Sequence, residues 1–191
     1  MASHYFAILS RMKYINRWGL MRNTREENLS EHSLETAFIA HALCTLGNRR
    51  LGKNLDAEQA AVQAMFHDTT EILTGDMPTP VKYDNDELKT AYKSIEEQAA
   101  KKLLCYLPKD LKDDYKKYYE ESGEISEIVH AADKISAYIK CIEEEKMGNG
   151  EFLDAKESIK KAIDGLDIPE VKLFMEEFID SYGLTLDKQR S

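Results

Sequence analysis

The sequence predicts an all-α fold, one helical bundle spanning residues 1–191, and three observations carry that expectation. Apolar residues recur at helical spacing in stretch after stretch, most clearly at Ile125, Ile128, Val129, Ala132, Ile135, Ile139 and Ile142. Capping-box patterns, Asn28-x-x-Glu31 and Asp56-x-x-Gln59, mark helix starts. Breaks fall at Gly75, Pro78, Pro80, Pro108 and the turn Gly148-Asn149-Gly150, with no internal repeat and no domain boundary between them.

In chain order, residues 4–16 place Tyr5, Ile8, Leu9, Met12 and Ile15 at helical spacing, so the first element is an amphipathic helix. From Arg17 to Ser30 the periodicity stops, and Arg17, Arg22, Arg25 and the only tryptophan, Trp18, collect in a loop. That loop is either a solvated connector with Trp18 as a packing anchor, or a phosphate holder beside a flat apolar wall. The second helix starts near Asn28 or Ser30, with His32, Thr36, Ile39 and Leu43 on one face and Leu34, Phe38 and His41 on the other. Both faces are largely apolar, which predicts a buried helix with His41 as a hydrogen-bonded core residue, ended by Gly47 and the polar run GNRRLGKN.

The third helix carries Ala57, Ala60, Ala61 and Ala64, small residues that permit close helix approach. If it persists beyond His67, Glu71 lies one turn further on the same face. Gly75 breaks it, and Pro78 and Pro80 predict an extended loop that holds Asp76 rigidly. Residues 84–107 predict a long polar helix with Ile95, Ala99 and Leu103 inward, and 109–122 a charged surface helix, with a nucleotide-covering lid as the alternative. The helix from Glu124 to about Met147 has Asp133 at the edge of its stripe and His130 toward the surface or an interface. Two amphipathic helices follow, 151–165 and 169–182, and Phe174, Met175, Phe178 and Ile179 form a stripe for core or dimer contact. The last residues are expected to fray.

Composition narrows the function. With 42% hydrophobic and 32% charged residues the chain reads as an ordinary globular protein. A net charge of −9 without a basic cluster argues against duplex nucleic acid as a partner, whereas a small anionic substrate needs only a local positive site. No apolar run approaches the roughly 20 residues that span a bilayer, and the N-terminal residues lack a signal layout, so a cytoplasmic location is the default. Cys44, Cys105 and Cys141, odd in number and far apart, read as buried reduced thiols.

The chemistry centres on the adjacent pair His67-Asp68, whose nitrogen and oxygen donors together suit a divalent Mn, Co, Fe, Ni or Zn ion. Such a pair also describes a helix end with one solvated carboxylate. His32 upstream, Asp133 downstream and the acidic Glu71 and Asp76 nearby shift the reading toward a site. An uncompensated Asp133 at a buried stripe would cost several kcal/mol, roughly; metal ligation, solvation or a lysine partner each removes that difficulty.

His32, His67-Asp68 and Asp133, in that order, resemble the H…HD…D signature of the HD-domain phosphohydrolases. The flanks Ile15-Asn16-Arg17-Trp18, Met21-Arg22-Asn23, Ser30-Glu31-His32-Ser33-Leu34 and Leu73 to Tyr83 resemble the bacterial 5′-deoxynucleotidases of that superfamily. The resemblance covers most of the chain and is densest between residues 5 and 83. It implies one divalent metal ion, with Co, Mn or Cu supporting activity, held by His32, His67, Asp68 and Asp133. It implies hydrolysis of 2′-deoxyribonucleoside 5′-monophosphates with little base preference, by a homodimer. Arg17 would orient the phosphate, Trp18 would help exclude a 2′-hydroxyl, and His32, Asp76 and Asp133 would also line the substrate. Glu71 and Asp76 would be the catalytic pair, one activating water and the other protonating the leaving 5′ oxygen, in either allocation. The segment Glu120 to Glu124, where relatives contact the nucleoside, departs from the pattern. Rival readings are another HD phosphohydrolase, acting on triphosphates or phosphodiesters, and a non-catalytic helical interaction protein.

Overall fold

The computed structural model describes residues 2–82, 85–120 and 122–190, and they build the expected all-α architecture. In order come α1 (Tyr5–Leu9) with a 3₁₀ turn (Ser10–Tyr14), α2 (Leu29–Arg50), α3 (Ala57–Phe66), α4 (Glu71–Thr74) and α5 (Thr79–Lys82). They are followed by α6 (Asp86–Cys105), α7 (Lys112–Lys116), α8 (Gly123–Lys146), α9 (Leu153–Asp164), α10 (Pro169–Phe178) and α11 (Leu186–Gln189). None of the described helices is long and apolar enough to cross a membrane.

Local signals set the central helices. The Asn28 side chain accepts the N–H groups of Ser30 and Glu31 while Glu31 accepts the Asn28 N–H, a complete capping box for α2. Asp56 caps α3 through the Gln59 N–H at 2.8 Å. Ala60 and Ala64 of α3 are fully buried with Ala40, Leu43 and Cys44 of α2 and Ile128, Ala132 and Ile135 of α8. Those small side chains draw α3 against α2 and α8, so that polar groups from three helices can meet. Ile163, Val171 and Phe174 from α9 and α10 complete this core. A second cluster joins Tyr5, Leu103 and Leu107 to Phe66, Tyr115 and Tyr119.

Several sequence expectations change. The first helix is α1 plus a 3₁₀ turn, because the chain must straighten at Ile15: Arg17 N–H donates to Glu27 O at 2.9 Å and Leu29 N–H to Ile15 O at 3.0 Å, flanking an antiparallel bridge between Asn16 and Asn28. α2 is buried on one face only. Phe38 is 67% exposed, Leu34 48%, and His41 is a surface residue instead of a core one. Gly47 does not end α2, which runs on to Arg50; a Cβ at Gly47 would meet Glu170 Oε1 at 2.6 Å, so the glycine makes room for a buried carboxylate that pairs with Lys53 at 2.7 Å.

Pro78 and Pro80 do not give an extended loop. The Val81 and Lys82 N–H groups donate to Pro78 O, closing the short helix α5, whose first turn suits proline's fixed φ; Tyr83 and Asp84 lie outside the described residues. On α6 the buried face runs through Tyr92, Ala99 and Leu103, with Ile95 at its edge and 48% exposed. Residues 109–119 form two 3₁₀ turns around α7 instead of one helix, since Tyr115 and Tyr119 turn inward onto the second cluster; Glu121 lies outside the described residues. Cys44 and Cys141 are buried, and burial pushes their thiols up to about 11 and about 12, but Cys105 is exposed. His130 is exposed, as expected, and residues 186–189 form a helical turn.

A buried carboxylate fastens the loop after Trp18 to α8. Glu144 accepts the Thr24 N–H at 2.9 Å, the Thr24 hydroxyl at 2.7 Å and the Asn149 amide at 2.8 Å. It also pairs with Lys140, whose ammonium donates to Arg25 O at 2.6 Å. Burial opposes ionisation, but the bonds from Lys140, Asn149 and Thr24 outweigh it and bring the carboxyl from 4.5 down to about 2. A depressed folded pKa contributes stability above pH 4.5 that is lost as the pH falls toward 2. The stability difference between wild type and Glu144→Gln in urea should therefore narrow across that window. Lys140→Met, which leaves the carboxylate buried without its cation, should cost about 3 kcal/mol, seen by calorimetry as a Tm lower by roughly 6–12 °C.

Candidate metal centre

His32 lies in the first turn of α2, fully buried, with its Nδ1 3.1 Å from Ser136 Oγ of α8. His67 follows the last residue of α3, and its Nδ1 donates to Ala64 O at 2.6 Å. Each imidazole thus uses Nδ1 for support and presents Nε2 to a shared point, the arrangement that orients histidine ligands. His32 Nε2 is 3.1 Å from Asp133 Oδ1 and 3.4 Å from Asp68 Oδ2. His67 Nε2 is 3.2 Å from Asp68 Oδ2 and 4.0 Å from Asp133 Oδ1. The donors of His32, His67 and Asp68 lie within 4.8 Å of one another.

The expected continuation of α3 through Glu71 does not occur. Phe66 is its last residue because the Thr69 hydroxyl takes the Phe66 carbonyl at 2.7 Å and the Thr69 N–H takes it at 3.1 Å. Residues 67–70 wind as tight turns into α4. On a regular helix adjacent side chains diverge by about 100°; the turn lets His67 and Asp68 converge. Glu71, at the start of α4, is buried beside Asp68.

The donor set fits a divalent cation. Two imidazole nitrogens and two carboxylate oxygens suit a first-row ion. His67 Nε2 is buried and has no well-directed hydrogen bond among the described residues, although Asp68 lies near. Burial opposes ionisation of Asp68 and Asp133, but the imidazoles and the Arg17 guanidinium outweigh it and hold both carboxyls well below the usual range. Burial, with Arg17 nearby, lowers His32 and keeps it neutral as a ligand must be. For His67 burial also disfavours the charged form, but Asp68 and Asp133 overcome it and raise the ring to about 9. A proton on Nε2 is what a cation would displace.

The other candidate residues gather at the same place. Arg17 Nη2 is 3.9 Å from Asp133 Oδ1, and its buried Nη1 has no hydrogen-bond partner among the described residues. Trp18 is left-handed at φ +59°, a conformation that costs a bulky residue roughly 1–2 kcal/mol. Its carbonyl accepts the Met21 N–H at 2.8 Å, its backbone N–H reaches Asp76, and its ring packs on Phe152 at 5.2 Å. Burial, then Asp68 and Asp76, raise Glu71 to about 10; burial also raises Asp76, against the pull of Arg17. Sequence reasoning missed Ser136, although its position one turn after Asp133 was a signal, and Glu27, which carried none. A cavity of about 390 Å³ lined by Arg25, Lys140, Tyr182 and Leu186 among others lies elsewhere, and none of the cluster residues borders it.

A family model described as 5′-deoxynucleotidase YfbR-like matches residues 4–182. The chain belongs to the YfbR-like 5′-deoxynucleotidase family. It is 48% identical over 189 residues to a 5′-deoxynucleotidase of Yersinia pestis, covering 97% of this chain and 96% of the relative. Among solved structures, an HD-domain phosphohydrolase from Listeria innocua superposes with a TM-score of 0.81 at 23% identity, over 98% of this chain and 92% of that one. A cyanophage S-2L HD phosphohydrolase bound to dA and one catalytic Zn²⁺ ion superposes with a TM-score of 0.66 at 21% identity, over 91% and 95%. As a member of the YfbR-like family the protein is a hydrolase of phosphoric monoesters. Asp68→Ala should abolish stoichiometric binding of Mn²⁺ or Co²⁺ in calorimetric titration while leaving the helical circular dichroism intact, since the core does not depend on this site. Unchanged metal stoichiometry would remove Asp68 from the cluster's work.

Proposed function

We propose that the protein hydrolyses 2′-deoxyribonucleoside 5′-monophosphates to deoxynucleosides and phosphate, over a broad range of bases and against ribonucleotides. His32, His67, Asp68 and Asp133 would hold one divalent cation, and Co, Mn or Cu suits that donor set, as does the Zn²⁺ of the cyanophage neighbour. The observation that carries the reading is Arg17 beside the four-donor cluster with a buried Nη1 that has no hydrogen-bond partner among the described residues. That atom can donate to a phosphoryl oxygen seated at the cluster. When bound, the cation supplies polarisation of the phosphoryl oxygens and acidification of water, and its charge offsets that of Asp68 on Glu71.

The chain's own groups then divide the work. Arg17 orients the phosphate through its planar fork. Trp18, the next residue, stands as a rigid apolar wall against the sugar. The 5′ oxygen links phosphate to sugar, and Asp76 is bonded to the Trp18 backbone and feels the charge of Arg17, the two residues assigned to sugar and phosphate. Asp76, held toward its protonated form, gives its proton to that oxygen as the P–O bond breaks. Glu71, beside Asp68, would be drawn into its ionised form by the charge of the bound cation, and the carboxylate then accepts the proton of the attacking water as the new P–O bond forms. On this reading the enzyme works as a homodimer in the cytoplasm, and the exposed Leu34 and Phe38 of α2 offer apolar surface for such an assembly.

Phosphate release from dAMP, dGMP, dCMP, dTMP, their ribonucleotide counterparts, dATP and a cyclic dinucleotide, each with Mn²⁺ or Co²⁺ after chelation, tests the assignment. Release confined to the deoxymonophosphates is expected, and turnover of dATP or the cyclic dinucleotide in their place would refute it. Glu71→Ala should retain metal and substrate but lose kcat by roughly 10²-fold or more; loss of the metal would instead make Glu71 a ligand. Trp18→Ala should narrow the kcat/KM preference for dAMP over AMP by about ten- to a hundredfold, chiefly by admitting AMP. An unchanged ratio would leave Trp18 a packing residue.

A further inference from the structure

Glu27 sits in a charged run, Arg25-Glu26-Glu27-Asn28, where neither spacing nor composition distinguishes it from its neighbours. Its side chain is nevertheless only 10% exposed. One of its oxygens, Oε2, accepts the Trp18 indole N–H at 3.0 Å and also lies 3.8 Å from Arg17 Nε. The main chain repeats the pairing, with the Arg17 N–H donating to Glu27 O at 2.9 Å beside the Asn16–Asn28 bridge. A single carboxylate thus touches two consecutive side chains, both of which face the substrate on the reading given above.

We propose that Glu27 is a positioning residue that sets phosphate orientation and sugar selectivity together, by fixing Arg17 and Trp18 relative to one another. The inference rests on that functional reading. Arg17 lies between carboxylates, with Asp133 Oδ1 3.9 Å from Nη2 and Glu27 Oε2 3.8 Å from Nε. The attraction of Glu27 on the Nε edge balances that of Asp133 and keeps Nη1 free for a phosphoryl oxygen. Without it the guanidinium swings onto Asp133, and the fork no longer faces the phosphate. Trp18 has one polar ring atom, the indole N–H. Its bond to Glu27 fixes the rotation of a ring that also packs on Phe152, an apolar contact tolerant of rotation. Freed from that bond, the wall against the sugar loses its set.

Two substitutions separate the roles. Glu27→Gln keeps an oxygen that accepts the indole N–H but removes the charge facing Arg17, whereas Glu27→Leu removes both. The intact Mn²⁺-loaded enzyme is assayed for kcat and KM with dAMP and AMP, and the emission of Trp18, the chain's only tryptophan, is recorded in parallel. Glu27→Gln should leave the dAMP to AMP ratio of kcat/KM and the emission maximum as in wild type, with KM for both nucleotides raised about five- to tenfold, the scale of one ordinary hydrogen bond lost. Glu27→Leu should in addition shrink the ratio about tenfold or more and shift the emission maximum. Wild-type ratio and emission in Glu27→Leu, or wild-type KM in Glu27→Gln, would overturn the proposal. If Glu27→Leu does not fold, KM and emission of the glutamine variant decide alone. If the wild-type enzyme itself shows no preference for dAMP, the functional reading fails, and the emission of the leucine variant still reports whether Glu27 holds the indole.

Discussion

Asp68 and Asp133 approach the same two imidazole nitrogens from different parts of the chain, and the rest of the site depends on that convergence. Two carboxylates drawn together in a protein interior repel each other and lose hydration, an arrangement that persists only where positive charge balances it. Here Arg17 and the His67 ring supply part of that charge, and both carboxyls are held ionised. A divalent cation would supply the remainder and take the place of the His67 proton. The same negative charge reaches Glu71, which burial and Asp68 keep protonated up to about 10. One electrostatic constraint therefore acts on His32, His67, Asp68, Asp133 and Glu71 together.

The scaffold meets that constraint with ordinary packing. Ala60 and Ala64 let α3 lie close against α2 and α8, and the turn at residues 67–70 redirects two adjacent side chains that a continuing helix would separate. On the other side, a left-handed Trp18 stores strain that the surrounding bonds must hold. Its carbonyl, its backbone N–H, its indole and its ring each have a partner, and the loop beyond it is fastened by Glu144.

Much of this was legible in the sequence. The capping box of α2, the Asp56 cap of α3, the apolar stripe of α8 and the small residues of α3 all express local rules, and the structure obeys them, although the expected Asp56-x-x-Gln59 box forms only its Asp56 half. His32, His67, Asp68 and Asp133 were singled out by residue type, order and placement on separate helices, and they do meet. What escaped was set by tertiary contact. Periodicity could not tell that only one face of α2 would be covered, so His41 was expected inside and is exposed. Gly47 looks like a helix end in sequence, yet its bare Cα serves a buried Glu170 from α10. Glu27 was silent because its partners lie across a bridge nine and ten residues away in sequence, a spacing that neither helix nor hairpin periodicity marks.

The central claim is that the four-donor cluster holds one cation and that this cation turns the enzyme on. Titration of the chelated protein with Co²⁺ tests it most directly, because the visible absorption of the ion reports its coordination while phosphate release from dAMP is followed in the same samples. The account predicts that both signals saturate together at one ion per chain in the wild type, and that Glu71→Ala keeps the absorption and loses the release. Full dAMP hydrolysis by the chelated protein, or absorption that saturates without any gain in activity, would contradict it.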